Sequence, residues 1–210
     1  MAGIFITFEG TEGCGKSTHI KKLATRLEKE GHTVRTLREP GGTESGEEIR
    51  ELLKHGPDNL TPEVELLLMN ASRAQLVREI IRPALAAGEV VLCDRFYDST
   101  TIYQGTGRGL DPVHVQAVID FAVGETRPDL TLLLEIPLEI SEKRRAKRHG
   151  SDRFESADRK FFMRIEAGYA ALAEAEPDRI QVIDANRPLE NVQAGIMAAV
   201  STALKNADSR

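Results

Sequence analysis

Near the start of the chain, Gly10-Thr11-Glu12-Gly13-Cys14-Gly15-Lys16-Ser17 has the spacing G-x-x-x-x-G-K-[ST]. That spacing is a device for holding phosphate. Glycines let the backbone bend until successive N–H groups point at one anion. The N-terminus of a following helix adds its partial positive charge. Lys16 is placed to reach β- and γ-phosphates and Ser17 to ligate Mg2+, with Thr18 beside it. We read residues 10–18 as a cradle for a nucleoside triphosphate. A thiol at such a helix start can be reactive, but Cys14 reads better as a small residue filling the loop.

A second signal is Cys93-Asp94-Arg95, at the end of an apolar run. The Asp94 carboxylate can hold Mg2+ or its water. Arg95 beside it makes sense if a second anion lies next to the metal. The chain lacks the Asn-Lys-x-Asp of a guanine-specific GTPase, and its third strand does not end in the Asp-Glu of a transporter or helicase ATPase. This points to a kinase with a phosphorylated acceptor. Triphosphate and monophosphate together carry about six negative charges at neutral pH. The acceptor oxygen is already ionised, so positioning and charge neutralisation suffice. Candidate cations are Lys16, Arg38, Arg73, Arg95, Arg153 and the run Lys143 to Arg148. Arginine suits this because its planar fork binds phosphate through two donors. Alone, the run would read as the solvated last turn of a helix. Beside a phosphate loop it reads as part of a closing lid.

These groups need elements to position them. Ile4 to Phe8 reads as a buried strand, and Ile20, Leu23, Ala24 and Leu27 mark one face of the helix after the loop. Further strands are predicted at His32–Leu37, Val90–Cys93, Leu130–Glu135 and Ile180–Ile183. Helices are predicted at about 43–54, 62–87 with a possible kink at Pro83, 112–123, 138–149, 157–175 and 188–205. Asp111-Pro112 is a good cap and first-turn pair. Strand alternating with helix predicts a parallel sheet covered on both faces. The fold class expected is α/β, a three-layer α/β/α P-loop domain with five parallel strands and a helical lid at about 144–156, in one domain spanning 1–210.

Composition reads as that of an ordinary soluble globular protein: 210 residues, 40% hydrophobic, 29% charged, net charge −5. The acidic balance argues against a general nucleic-acid or membrane-surface binder. No apolar run approaches membrane-spanning length, and two cysteines make no disulfide framework. We expect no signal peptide and a cytoplasmic location.

The chain resembles the thymidylate kinases over nearly its whole length. The segments "FEGTEGCGKST", "REPGGT", "ASRAQ", "CDRFYDSTTIYQGTGRG" and "DRFE" carry the likeness, and "DRFYDSTTIYQG" is the most specific of them. The resemblance implies that dTMP is phosphorylated with ATP and Mg2+ by a homodimer. It implies that Glu12 binds the acceptor sugar or organises the metal, and that Glu39 lies near acceptor and metal. Arg38 and Arg95 would meet the acceptor phosphate, with Ser99 and Thr100 in the same segment. Arg73 would reach the thymine edge and Gln104 would hydrogen-bond the base. The Tyr103 ring would fill the space of a ribose 2′-OH. Arg144 would lie against adenine, and Asn186 and Arg187 belong to the loop closing over it. Gly13 stands where some members carry a catalytic arginine, so Arg148 or Arg153 in the lid takes that role here. Two positions depart from the family pattern. Met69 stands where Phe often stacks on the base, and either packs on the ring or is a core residue. Ile102 stands where a small residue is usual. Alternatives are a kinase for another pyrimidine nucleoside monophosphate, or a non-catalytic ATP-binding sensor.

Overall fold

The computed structural model describes residues 3–57, 59–146 and 158–208. Its centre is a five-stranded parallel sheet in the order β2-β3-β1-β4-β5. The strands are β1 (Ile4–Glu9), β2 (Val34–Arg38), β3 (Val90–Asp94), β4 (Leu130–Glu135) and β5 (Ile180–Asp184). Around it lie α1 (Lys16–Lys29), α2 (Glu44–His55), α3 (Pro62–Leu76), α4 (Arg82–Ala86), α5 (Tyr97–Thr100), α6 (Pro112–Val123), α7 (Leu138–Ala146), α8 (Arg159–Ala175) and α9 (Leu189–Asp208). No helix among the described residues is long and apolar enough to cross a membrane.

Alternation along the central strands builds the layers. Ile4, Ile6 and Phe8 of β1, Val90 and Leu92 of β3, and Leu130, Leu132 and Leu134 of β4 share one core with α1 and α9. Phe5, Val91 and Cys93 point the other way, into a core with α3, α4 and α6. Strands covered on both faces are apolar at most positions, which explains why these runs do not alternate in polarity; the buried hydroxyls of Thr7 and Thr131 satisfy each other at 2.8 Å. A third cluster joins Ile102, Tyr103 and Leu133 to Phe161, Phe162 and Ile165 of α8.

Helix starts follow local chemistry. Thr43, Thr61, Asp111 and Asp158 each accept a backbone N–H in the first turn of the helix they precede. The predicted helix over 62–87 is interrupted by a π-helical turn, Val77–Ile81, before Pro83 enters the first turn of α4. Pro83 lacks an N–H and its ring crowds the carbonyl four residues back, so the ladder widens ahead of it. β1 and β3 each run one residue beyond their predicted ends, to Glu9 and Asp94. β2 starts two residues later than predicted and ends one later.

Residues 97–107, left without an element by the sequence pattern, form α5 and a π-helical segment, Thr101–Gly107. The run Ser99-Thr100-Thr101-Ile102 and the glycines that follow mask helical character. Tertiary contacts hold the segment instead. The Asp98 carboxylate, 1% exposed, takes both terminal nitrogens of Arg179, at 2.7 and 2.9 Å. α8 packs on the segment so closely that a Cβ on Gly107 would come within 2.7 Å of the Phe161 ring and 2.8 Å of Ile165. Gly107→Ala should therefore lower the unfolding free energy by ~1–3 kcal/mol. A urea titration reads this as a lower midpoint at unchanged slope; an unchanged midpoint would mean that α8 yields at no cost.

Candidate active site

The phosphate loop joins β1 to α1 at the carboxyl end of the sheet, where open α/β sheets bind ligands. Gly10, Gly13 and Gly15 have φ of 126°, 81° and 99°, a region in which a side chain is strained. Cys14 is buried in the core with α1, in keeping with a filling role. Lys16 is folded into its own loop. Its Nζ donates to the carbonyls of Gly10 at 3.0 Å and Thr11 at 3.1 Å, and lies 3.5 Å from Cys14 Sγ. Reaching phosphate requires it to exchange these partners.

Ser17 Oγ donates to Asp94 Oδ2 at 2.8 Å across the gap between α1 and β3. Both are hard oxygen donors, and Asp94 lines a cavity with Lys16 and Glu39. Among the described residues no group of three or more His, Cys, Asp and Glu could hold a metal. Two protein oxygens suit a cation that keeps waters and phosphate oxygens as its other ligands, as Mg2+ does.

Arg95 follows directly. It has φ 73°, the only positive φ outside glycine among the described residues, at a cost of roughly 1–2 kcal/mol. The surroundings fix it. Its N–H donates to the Phe8 carbonyl at 2.9 Å, and its Nη2 meets Glu12 Oε1 at 2.8 Å. The guanidinium lies 4.9 Å from the Tyr103 ring centroid. The Tyr103 hydroxyl donates to both oxygens of Glu12, at 2.9 and 3.0 Å. Burial alone would raise the Glu12 carboxyl, but Arg95, Lys16 and the Tyr103 hydroxyl more than offset it and hold it below its ordinary value.

Behind this triangle sits Glu9, a residue the sequence reading passed over. Its carboxylate accepts the Phe96 N–H at 2.8 Å, the Ser99 N–H at 3.3 Å, the Ser99 hydroxyl at 2.6 Å and the Tyr169 hydroxyl at 2.8 Å. Burial, reinforced by Asp98, raises its pKa. A carboxylate closing an apolar strand was the one local signal for it. Tyr169 on α8 left no local signal at all.

The cavity expected to take the acceptor holds about 120 Å³. Glu39, Met69, Arg73, Ser99, Thr100, Tyr103 and Gln104 all line it, as do Arg50, Pro40 and Leu53, which the sequence reading missed. Met69 therefore borders open space. Ile102 packs into the α8 core instead, away from the lining. Arg73 is 2% exposed, and its N–H groups are engaged inside the protein. They reach Glu39 at 2.8 and 2.7 Å, Asn70 at 2.8 Å, Thr100 at 3.0 Å and the Phe96 carbonyl at 3.2 Å. Among the described residues, one buried oxygen of Glu39, Oε1, has no hydrogen-bond partner. Burial pushes its carboxyl up to about 7, against the pull of Arg73.

Arg38 lines the phosphate-side cavity, held by Glu47 at 2.7 Å. Thr18 is exposed on α1. Arg144, expected against adenine, donates to the Gly13 carbonyl at 2.8 Å, and its stem covers Gly13. Asn186 and Arg187 are exposed and both are tied to the Asp184 carboxylate. Asp184 itself lines a cavity with Gly10 and Thr11. Arg148, Arg153 and most of the expected lid lie outside the described residues.

Comparisons with known proteins identify the family. The family model described as "Thymidylate kinase" matches residues 8–196. A thymidylate kinase of Pseudomonas fluorescens is 48% identical over 208 residues, covering 99% of each chain. One from Alcanivorax borkumensis is 50% identical, covering 92% of this chain and 93% of its own. A crystal structure of thymidylate kinase from Ehrlichia chaffeensis superposes with a TM-score of 0.78 at 31% identity, over 95% of this chain and 99% of that one. With the phosphate loop, the Asp94-Arg95 turn and the acceptor cavity in one frame, the chain belongs to the thymidylate kinase family.

Proposed function

We propose that the protein transfers the γ-phosphoryl group of ATP to the phosphate of dTMP, giving dTDP and ADP, with Mg2+. The observation that carries this reading is a shared wall. Glu12, Glu39, Arg50 and Arg95 line both the cavity beside the phosphate loop and the acceptor cavity. Two anions bound one in each cavity would meet there.

The chain's own groups then position and neutralise. Amides of residues 10–18 and Lys16 hold the β- and γ-phosphates. Arg38, Arg50 and Arg95 take the acceptor phosphate. The strained turn at Arg95 fixes its fork before the substrate arrives, so little reorganisation is needed at the moment of transfer. Glu12 orients Arg95 and Tyr103, and the Tyr103 ring closes the sugar side. Met69, Arg73 and Gln104 border the base. Arg144, Asn186 and Arg187 stand on the ATP side, and Arg148 and Arg153 serve the transferred group from the lid. Ser17 and Asp94 would hold Mg2+, which would supply neutralisation of phosphate charge. A single domain with a lid at about 144–156 suffices for this chemistry.

A homodimer is part of the proposal. Phe121 is 84% exposed and Leu67 57%. They belong to α6 and α3, which pack against each other. Large apolar side chains left on one pair of helices suit a second copy of the chain.

The first test is ADP release with ATP and Mg2+ against dTMP, dUMP, UMP, CMP, AMP and GMP. Preference for dTMP is the expected result, turnover of AMP or UMP instead would move the acceptor assignment, and silence across the panel would favour a sensor. Arg95→Ala should lower kcat by ~100-fold or more while ATP binding, measured by calorimetry, survives. Glu39 supplies a pH test. Its folded pKa of about 7 lies above the ordinary carboxylate value, so folding favours its protonated form. That contribution is complete below about 4.5 and is lost as pH rises through 7. Urea unfolding at pH 5 and pH 7.5 should therefore move the stability difference towards Glu39→Gln by up to ~3 kcal/mol; a difference that does not vary with pH would refute the assignment.

A further inference from the structure

Glu65 touches neither cavity, yet it governs one of the groups that does. It lies in the first turn of α3, 1% exposed. Its Oε1 accepts Gln104 Nε2 at 2.7 Å. Arg108 pairs with the same carboxylate, Nη2 to Oε2 at 3.2 Å and Nε to Oε1 at 3.3 Å. The Arg108 guanidinium is held in turn 5.0 Å from the Phe161 ring centroid.

A carboxylate paired with a guanidinium accepts hydrogen bonds and donates none. The Gln104 amide can therefore meet Glu65 only through its nitrogen. Turning it over would set two oxygens against each other at the same distance. The carbonyl oxygen of Gln104 is left for the acceptor cavity, which Gln104 lines. Among the described residues it receives no hydrogen bond.

The wall thus shows a fixed acceptor. A pyrimidine with a protonated ring nitrogen can donate to it. A pyrimidine with a bare ring nitrogen next to an amino group sets lone pair against oxygen. An amide free to rotate would remove that mismatch. We infer that Glu65 is a specificity-determining positioning residue, which locks the Gln104 amide so that the site takes keto-pyrimidine monophosphates and rejects amino-pyrimidine ones. This rests on the acceptor reading proposed above.

The experiment compares kcat/KM for dTMP and dCMP, with ATP and Mg2+, in wild type, Glu65→Gln and Arg108→Lys. A glutamine at 65 can offer either oxygen or nitrogen, so Gln104 regains both orientations. The dTMP-to-dCMP ratio should fall by ~10-fold or more, mainly through a gain on dCMP. Arg108→Lys changes the packing but keeps a cation beside Glu65, so the carboxylate still only accepts, and the ratio should stay unchanged. An unchanged ratio in a Glu65→Gln protein that still turns over dTMP would overturn the inference. So would an equal fall in Arg108→Lys, which would point to general loosening of the pocket. Wild-type protein without dTMP turnover would instead overturn the acceptor reading, and this inference with it.

Discussion

The site hangs on one buried carboxylate. Glu9 ends the central strand, and its two oxygens gather the Phe96 and Ser99 amides, the Ser99 hydroxyl and the Tyr169 hydroxyl. Those groups come from the turn after β3 and from α8. Without an acceptor there, the Phe96 amide would be buried unpaired, at a cost of ~1–3 kcal/mol. With it, the chain can turn sharply at Arg95 and send the guanidinium towards the phosphate loop. The strand, the turn and α8 are thereby one mechanical unit, and Arg95, Ser99 and Tyr103 inherit their positions from it.

The charges around that unit are arranged in opposition. Glu12 and Glu9 lie 2.8 and 3.9 Å from Arg95, and Arg73 is matched by Glu39. Partly buried cations this close together would repel one another without such partners. The same carboxylates keep the arginines' side chains in fixed rotamers. Lys16 is the exception, since its partners are loop carbonyls that a phosphate can replace without leaving a charge unpaired.

Much of this was legible in the sequence. The phosphate loop, five strands and most helix starts depend on neighbours within a few residues, and such signals survive in a linear reading. Glu9, Glu65, Arg50 and Tyr169 did not show, because each acquires its role from a partner far along the chain: Glu9 from Tyr169, Glu65 from Gln104. The π-helical segments were hidden for a related reason. Thr101–Gly107 has poor intrinsic helicity and is held by α8 and by the Asp98–Arg179 pair. Ile102 shows the reverse error. Its motif drew attention to the base, whereas its side chain belongs to the core.

The turn at Arg95 ties stability and activity to one side chain. A glycine there would relax the positive φ, but it would take the guanidinium away from Glu12, Ser99, Tyr103 and Tyr169 at once. Glu9 and Glu12 would then face each other without the cation they share, a loss larger than the strain released. Discarding the arginine therefore gains nothing in durability, and the fold retains it even where turnover is not selected.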